Sequence, residues 1–430
     1  MDTTRISWIR STVEQLRRLE RPVRILSSIA WPPAVKAAFF EGGAKELPSV
    51  TYRALDRADE ICDEVQRALR DIHGADPIER WLLHIGESIA TAARLLASVG
   101  TSDFIEYSKQ LYGEPTHPLQ DGMRTALELA KDVDALFSHI DVLDLGAPDP
   151  ACHLSSGVAK RVEEATRERF GDAAPMVALV TDLSANAIAG PRAIRIRRDA
   201  IFTDRDVHQL IQHEAFVHVA TSLNGRSQSD LPILAASHAG TTRTQEGLAV
   251  FAEFITGAMD PDRFRRLADR VLAIQMAIDG ADFLEVYRFF LERTASPDQA
   301  FENARRVFRG GCVEGGVAFT KDVVYLDGLL RVLNFLRAAV AEGRTDCLLL
   351  LFCGKLDIED IPALSHLAAA GLCRPPRFLA PWLEDRRFLV SYLTLSRFLN
   401  RIDLEAVRIH TRGLLAHTVR LDGVAGFERA

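Results

Sequence analysis

HEAFVH at residues 213–218 and TQEGLA at residues 244–249 are the stretches that decide the fold of this 430-residue chain. Two histidines flank a glutamate in the first stretch, and a second glutamate, Glu246, follows 28 residues after the second histidine. Two nitrogen ligands, one oxygen ligand and a spare carboxylate make up a typical catalytic zinc site, in which the fourth coordination position stays open. The pattern therefore predicts a zinc-binding helix followed by a second helix that supplies the third ligand.

The spacing of the two histidines, His213 and His218, is unusual. The common zinc-protease signature places its histidines four positions apart, whereas these stand five apart. On a regular helix that separation turns the two rings about 140° away from each other, so they would not converge. A π-type widening to roughly 4.4 residues per turn removes most of the difference, and such bulges are concentrated at functional sites. We therefore predict that the helix widens, or ends, between His213 and His218, and we favour the widening.

The residues before the histidines predict two strands. MVALV at 176–180 is a short apolar run, and AIRIR at 193–197 alternates apolar and basic residues, which is typical of a strand with one solvated face. A strand that precedes the histidine helix is the arrangement of zinc peptidases, because its edge can pair with an extended peptide. We therefore expect the strand at 193–197 to bind the substrate backbone.

Capping signals delimit the two helices that carry the zinc site. Thr203 followed by Asp206 predicts a capping box at the start of the histidine helix. A second capping box is predicted at 242–245, so that Glu246 would lie in the first turn of a helix that ends near Gly257. The remainder of the chain is dominated by helical periodicity.

The length and the pattern together predict an α+β protein that is mostly helical, with a small zincin-like α/β core between helical subdomains. We divide the chain into a variable N-terminal segment (1–50), an N-terminal helical subdomain (51–150), a metallopeptidase core (151–345) and a C-terminal helical subdomain (346–430). This division follows the change from helical periodicity to short alternating strands near residue 155 and back again after residue 260.

Composition limits the functional classes. The net charge of −7 gives no overall attraction to nucleic acid or to anionic membranes, so neither is expected as a partner. The six cysteines show no paired metal-binding spacing and suggest buried thiols of a reducing compartment. We find neither a signal-peptide pattern at the N-terminus nor an 18-residue apolar run, and therefore expect a cytoplasmic protein.

HExxxH at 213–218, TQEGLA at 244–249 and FTKDVVYLDGL at 319–329 together resemble one known family. It is the QEGLA-motif family, whose bacterial members are often labelled as modulating flavohaemoglobin expression. The blocks are also similar to those of the eukaryotic microtubule-associated tubulin tyrosine carboxypeptidases. The resemblance covers roughly residues 50–400 and includes LYG at 111–113 and LFCGK at 351–355.

The resemblance implies a zinc metallopeptidase, and the residues are carried over by their place in the motifs. His213, His218 and Glu246 are the implied zinc ligands, and Glu214 is the implied catalytic acid/base. The eukaryotic members remove a C-terminal aromatic residue from an acidic tubulin tail, which a basic groove recognises. We therefore expect a peptide or protein C-terminal tail as substrate, although the net charge of −7 argues against a globally basic surface. The sequence leaves the oligomeric state open.

Further residues are candidates for the proposed hydrolysis. An oxyanion donor is expected besides zinc, and Tyr325 and His238 are the candidates, although Tyr325 is as well explained as a core aromatic. A carboxypeptidase also needs a cation that binds the terminal carboxylate. The candidates for that anchor, each of which is otherwise a surface charge, are Arg243, Arg309 and Lys321. Glu253 would orient a ligand histidine, or else occupy a solvated helix position.

Two other functions use the same residues. A zinc amidohydrolase that acts on a small or modified peptide would need the same ligands but no carboxylate anchor. A non-catalytic regulator would keep the metallopeptidase fold with a structural or vestigial metal site. The presence of Glu214 beside His213 argues against the regulator, because a structural site needs ligands but no general base.

Overall fold

The computed structural model describes residues 1–137, 152–181, 183, 186–190, 192–294 and 296–416. Within these ranges the protein is mostly helical with small sheets, which confirms the α+β class with a helical majority. The division into four segments stays a prediction, and its parts at 138–151 and 417–430 lie outside the described residues. Among the described residues, no helix is both long and apolar enough to cross a membrane.

The α-helices of the described residues are, in chain order, α1 (Thr3–Glu20), α2 (Ile25–Ser28), α3 (Pro33–Glu41), α4 (Ala58–Leu69), α5 (Pro77–Ala97), α6 (Phe104–Tyr112), α7 (Ala126–Phe137), α8 (Ser155–Phe170), α9 (Asp204–Leu210), α10 (Ala220–Arg226), α11 (Thr242–Ile255), α12 (Pro261–Ile278), α13 (Phe283–Leu291), α14 (Pro297–Phe308), α15 (Val323–Ala341), α16 (Cys347–Leu350), α17 (Ile361–Ala369), α18 (Pro381–Glu384), α19 (Arg386–Leu399) and α20 (Leu404–Leu415). A π-helical segment, Ile211–Val219, joins α9 to α10 without a break. Short 3-10 turns lie at Gly171–Ala173, Pro232–Ala235, Ala239–Thr241, Thr320–Asp322 and Ile358–Asp360.

Two small sheets precede the π-helical segment. In the first, β1 (His153–Leu154) pairs with β5 (Ile201–Phe202) in antiparallel fashion. In the second, the order is β2 (Met176–Val180), β4 (Ala193–Arg197), β3 (Ala187–Ala189); β2 runs parallel to β4, and β3 runs antiparallel to it.

The position of β4 corrects one expectation. Ile194 and Ile196 are fully buried while Arg195 is exposed, so the predicted strand with one solvated face is confirmed. However, β4 lies between β2 and β3, and its backbone groups are already paired on both sides. The expectation that β4 binds the substrate backbone is therefore wrong. The strand with an unpaired edge that contacts the histidine segment is β3.

The hydrophobic core is continuous across the predicted segments. One buried cluster takes residues from α1 through α19, and a second, rich in phenylalanine, lies among α3, α12, α13 and α14. The first 50 residues, for which the sequence predicted no definite structure, contribute α1 to α3. Cys62, Cys347, Cys353 and Cys373 are buried, as expected, whereas Cys152 is exposed and Cys312 is half-buried; all six are free thiols.

The helices α11 and α15 cross at very close range. A Cβ added at Gly247 would overlap the carbonyl oxygen of Gly328, and one added at Gly328 would overlap the carbonyl oxygen of Arg243. Only glycine lets the two backbones approach so closely. This contact positions the start of α15, with Lys321 just before it, beside Glu246 on α11.

Candidate metal centre

The π-helical segment brings the two histidines together. Its nine residues contain both His213 and His218, and their ring centroids stand 4.8 Å apart with the ring planes 80° from each other. The predicted widening is therefore confirmed. The predicted capping box is also present, since Thr203 accepts a hydrogen bond from the backbone of Asp206, and the Asp206 carboxylate in turn accepts one from the backbone of Thr203.

Glu246 completes a triad with the two imidazoles. Its Oε2 atom lies 3.6 Å from Nε2 of His213 and 3.6 Å from Nε2 of His218. The three possible ligand atoms all lie within 4.8 Å of one another. The structure thus brings together the three residues that were predicted as metal ligands.

The start of α11, which carries Glu246, differs from the sequence prediction. No capping box forms there, because the N-cap is Thr241, which makes no side-chain cap bond. The Thr244 hydroxyl instead donates to Oδ2 of Asp357 at 2.8 Å and accepts from the backbone N–H of Ile358 at 3.0 Å. The predicted box at 242–245 is wrong because α11 already begins at Thr242, and the Gln245 side chain accepts from Thr221 and Lys355, which are distant in sequence.

His213, Glu253 and Arg263 form a buried chain of hydrogen bonds that orients the His213 ring. Nδ1 of His213 lies 2.6 Å from Oε1 of Glu253, and Glu253 accepts two bonds from the Arg263 guanidinium, at 2.7 and 2.8 Å. Glu253 is fully buried, so it is not a solvated helix position. An ionised carboxylate that accepts from Nδ1 fixes the orientation of the ring, so that Nε2 faces Glu246 and the position of an ion.

The Glu214 carboxylate also lies beside the triad. Its Oε1 lies 4.0 Å from Nε2 of His213, and its Oε2 accepts a 2.7 Å hydrogen bond from the backbone N–H of Ala189 in β3. The edge strand therefore holds one oxygen of the carboxylate while the other oxygen stays next to the triad.

The pKa values of all three triad residues are shifted from their usual values. Burial opposes a proton on His213, but hydrogen bonds with Glu246 and Glu253 outweigh it and raise the pKa of that ring to about 10. The pKa of His218 is lowered, because burial dominates and the Lys355 ammonium lies nearby. Burial alone would raise the pKa of Glu246, but Lys321 and the two imidazoles hold it well below its usual value. The two rings differ because His213 contacts two carboxylates and His218 only one.

The triad lies in a groove of about 1300 Å³. Among the described residues that line it, thirteen are basic and eight are acidic. The basic residues are Arg24, Arg192, Arg195, Arg197, Arg263, Arg265, Arg266, Arg270, Arg293, Arg306, Arg309, Lys321 and Lys355. The acidic residues are Glu20, Asp206, Glu214, Glu246, Asp262, Asp269, Asp298 and Glu302. A chain with a net charge of −7 therefore has a locally basic groove, which the total charge alone did not suggest.

The three predicted carboxylate anchors lie in different surroundings. Arg243 pairs with Asp327 at 3.0 Å and lines a separate cavity of about 300 Å³, outside the groove of the triad. Lys321 donates to Oε1 of Glu246 at 3.0 Å, so its ammonium already has a partner beside the metal site. Arg309 lines the groove, with its guanidinium over the Phe319 ring at 5.3 Å. Arg243 and Lys321 are thus ion-paired, whereas Arg309 has no ion-paired carboxylate among the described residues.

The two predicted oxyanion donors both line the groove. The Tyr325 hydroxyl accepts a 3.4 Å hydrogen bond from Arg306, and its ring lies 5.1 Å from Nζ of Lys321. His238 is buried, with its Nδ1 3.3 Å from the Ser88 hydroxyl. Burial and the nearby His84 ring lower the pKa of His238 to about 3, so its ring is neutral at physiological pH.

Sequence reasoning missed most of the cations of the groove, among them Lys355 and Arg270. Lys355 is buried with its Nζ 3.1 Å from the carbonyl oxygen of His218, and Arg270 lies over the Tyr325 ring at 4.8 Å. LFCGK at 351–355 is part of the family resemblance, and its lysine was the available signal for Lys355. Arg270 lies in an ordinary amphipathic helix, so no local pattern distinguished it.

The residues present are suited to a zinc ion. Ligands of a tetrahedral zinc ion at about 2.0–2.2 Å stand about 3.4 Å from each other, and the measured separations of 3.6 Å are close to that value. The donor set of two imidazoles and one carboxylate, with a further carboxylate beside it, matches catalytic zinc sites. Small shifts of the three side chains would complete such a site.

A family model described as microtubule-associated tyrosine carboxypeptidase matches residues 37–401. The matched range contains the π-helical segment, α11 and the whole triad, and it ends before α20. No curated protein matches the chain.

Proposed function

The chain belongs to the microtubule-associated tyrosine carboxypeptidase family, and from this premise we propose that it is a zinc-dependent carboxypeptidase. The observation that carries the proposal is the triad of His213, His218 and Glu246 with Glu214 beside it. A peptidase function agrees with a family of carboxypeptidases, and the metal would be held by the three triad residues. A zinc ion supplies Lewis acidity and lowers the pKa of water at the site.

Glu214 is the proposed general base and acid. Its Oε1 atom, near the triad, would take a proton from the attacking water and later pass it to the amine that leaves. Its Oε2 atom is held by the N–H of Ala189 at 2.7 Å, which fixes the direction of the carboxylate. The free edge of β3 on the same side would pair with the substrate backbone, because an extended peptide can add a strand to an unpaired edge.

The substrate class follows from the charge of the groove. Thirteen basic residues against eight acidic ones favour an acidic peptide, and two of the eight carboxylates belong to the metal site itself. Positive walls attract an acidic chain and align it before it reaches the metal. We therefore propose an acidic C-terminal tail as substrate, which agrees with a family described as tyrosine carboxypeptidases.

Arg309 is the proposed anchor for the terminal carboxylate. Its guanidinium has no hydrogen-bonded or ion-paired carboxylate among the described residues. The half-buried side chain lines the groove, and its enclosed Nε atom has no hydrogen-bond partner. Burial and the neighbouring Arg306 lower the pKa of Arg309 to about 10 although Asp322 raises it, so a closer anion would stabilise the cation. A substrate carboxylate would supply that anion with the bidentate geometry that arginine favours.

Replacing Glu214 with glutamine tests the proposal. The amide keeps the shape of the side chain but cannot accept the proton, so we expect peptide cleavage to fall by about a hundredfold or more. Zinc content should stay near one ion per chain, because the three ligands are unchanged. Metal analysis of both proteins and mass spectrometry of an acidic peptide measure the two outcomes. A metal-free wild-type protein would contradict the proposal.

The same peptide with a free or an amidated C-terminus distinguishes a carboxypeptidase from an endopeptidase. Only the free carboxylate can pair with Arg309, so cleavage of the amidated peptide should be strongly reduced. An Arg309→Gln variant should lose this preference. Equal cleavage of both peptides by the wild-type protein would be evidence for an endopeptidase or an amidase.

A further inference from the structure

We propose that Lys355, together with Thr221, is a positioning residue that holds the widened turn of the zinc-binding segment in its metal-ready shape. This inference rests on the proposed zinc site and adds to it residues outside the ligand set. The widened turn is defined here as Ile211–Val219, the π-helical segment.

A π-helical turn is rare and occurs mostly as a single widened turn inside an α-helix, so contacts that hold its backbone matter to the site. At Val219 the segment passes back into α10. Two buried side chains donate to backbone carbonyls near this junction. The Thr221 hydroxyl lies 2.8 Å from the carbonyl oxygen of Val217, and Nζ of Lys355 lies 3.1 Å from that of His218.

Lys355 also joins the widened turn to the helix that carries the third ligand. Its ammonium donates to Oε1 of Gln245 at 3.0 Å, and the Thr221 hydroxyl lies 2.9 Å from the same oxygen. Gln245 immediately precedes Glu246 on α11. One ammonium therefore links the backbone of ligand His218 to the residue next to ligand Glu246, and so sets the distance between the two elements.

The backbone around Lys355 is itself held tightly. Its N–H donates to the carbonyl oxygen of Leu234 at 2.7 Å. A Cβ added at Gly354 would press against the Leu234 side chain and carbonyl, so only glycine allows this approach. The lysine is buried, and no ion pair within 4 Å of its ammonium occurs in the described part of the chain. Burying a charged ammonium costs free energy, and the two oxygen acceptors offset part of that cost. Lys355 is therefore suited to a fixed structural position.

The test is the zinc affinity of a Lys355→Met variant, measured on the folded metal-free protein by competition with a chelator. Methionine has a similar length but no donor, so we expect zinc binding about 10- to 100-fold weaker, the usual loss when a group that orients a metal ligand is removed. The visible absorption of bound Co²⁺ should also change, since the angle between the two imidazoles would relax. Lys160→Met, at an exposed position of α8, is the matched control and should leave both readouts unchanged.

Thr221→Val keeps the test decisive if the methionine variant fails to fold. It removes only the hydroxyl, and we expect a several-fold loss of zinc affinity. Unchanged zinc affinity in a folded Lys355→Met or Thr221→Val protein would overturn the inference while leaving the proposed function intact. A wild-type protein that binds no zinc would overturn both.

Discussion

At the scale of single residues, the surroundings of each candidate decide its chemistry. His213 has a buried carboxylate 2.6 Å from its Nδ1 atom, whereas His238 contacts the Ser88 hydroxyl and lies near the His84 ring. The Ser88 hydroxyl accepts from the N–H of Gly240 at 2.7 Å and lies 3.3 Å from Nδ1 of His238.

The lowered pKa of His238 predicts a pH dependence of stability. Burial lowers it to about 3, so between about pH 6.5 and pH 3 the unfolded chain binds a proton that the folded protein does not. Stability from this residue is therefore fully present above pH 6.5 and is lost as the pH falls. At pH 4.5, two units below 6.5, the loss is about 2 to 3 kcal/mol.

Urea unfolding at pH 7.5 and pH 4.5 measures this loss. A His238→Asn variant cannot titrate there, so its free energy of unfolding should fall less between the two pH values than that of the wild-type protein. His366→Asn, at an exposed position of α17, should keep the wild-type pH dependence. The same dependence in the His238→Asn variant would show that the ring is not the group responsible.

At the scale of elements, two features bring the triad of His213, His218 and Glu246 together: the π-helical widening in one helix and the crossing of α11 with α15. The crossing depends on Gly247 and Gly328, whose backbones touch where larger residues would overlap. Because Gly247 follows Glu246 directly, the packing of the two helices also sets the position of Glu246.

Gly247→Ala should therefore destabilise the protein although alanine is a better helix former. The added methyl meets the carbonyl oxygen of Gly328, and forcing an extra group into a packed interface costs about 1 to 3 kcal/mol. Chemical unfolding of the metal-free protein measures this change. Zinc affinity should fall as well, because Glu246 would move with the helix.

Gly413→Ala is the matched control for that experiment. Its added methyl has no neighbour within 4 Å in the exposed α20, so the same substitution should be neutral or stabilise by up to about 1 kcal/mol. Equal effects at the two glycines would mean that helix propensity, and not the close crossing, explains the choice of glycine at position 247.

At the scale of the whole molecule, charge is unevenly distributed. The total is −7, yet the groove around the triad is basic, with α12 supplying Arg265 and Arg266. The low-dielectric walls of such a groove concentrate its electrostatic field. The field therefore attracts an acidic peptide before the two molecules touch. Overall charge is thus a poor guide to the partner of this protein.

Replacing both Arg265 and Arg266 with glutamine should weaken binding of an acidic peptide. We expect KM to rise roughly five- to tenfold at low salt, while kcat changes little, because the metal site is untouched. The effect should shrink at high ionic strength, where exposed charges are screened. Initial rates on an acidic peptide and on its neutral analogue give this comparison.

The control is Arg386→Gln with Arg387→Gln, which removes two exposed arginines of α19 outside the groove. That protein has the same net charge as the groove variant and should keep the wild-type KM. A KM raised equally by both pairs would point to the overall charge of the molecule and not to the groove.

Sequence alone determined the parts of this protein that are local. The spacing of His213 and His218 implied a helix that widens or ends between them, because a regular helix would turn the two rings apart. The alternation at 193–197 implied a strand. Glu246 and Glu214 followed from the residue types that a zinc hydrolase needs. Each of these conclusions depends on chemistry or periodicity within a few residues.

Tertiary structure alone decided which distant groups meet. Arg243 lies only three residues before Glu246, yet its side chain pairs with Asp327 in another cavity, while Lys321, 75 residues away, bonds to Glu246. Lys355 reaches the carbonyl of His218 across 137 residues. Nearness in sequence determines at most which residues share one face of a helix. Long-range packing determines which charged side chains share a buried space, and therefore which partner each of them has.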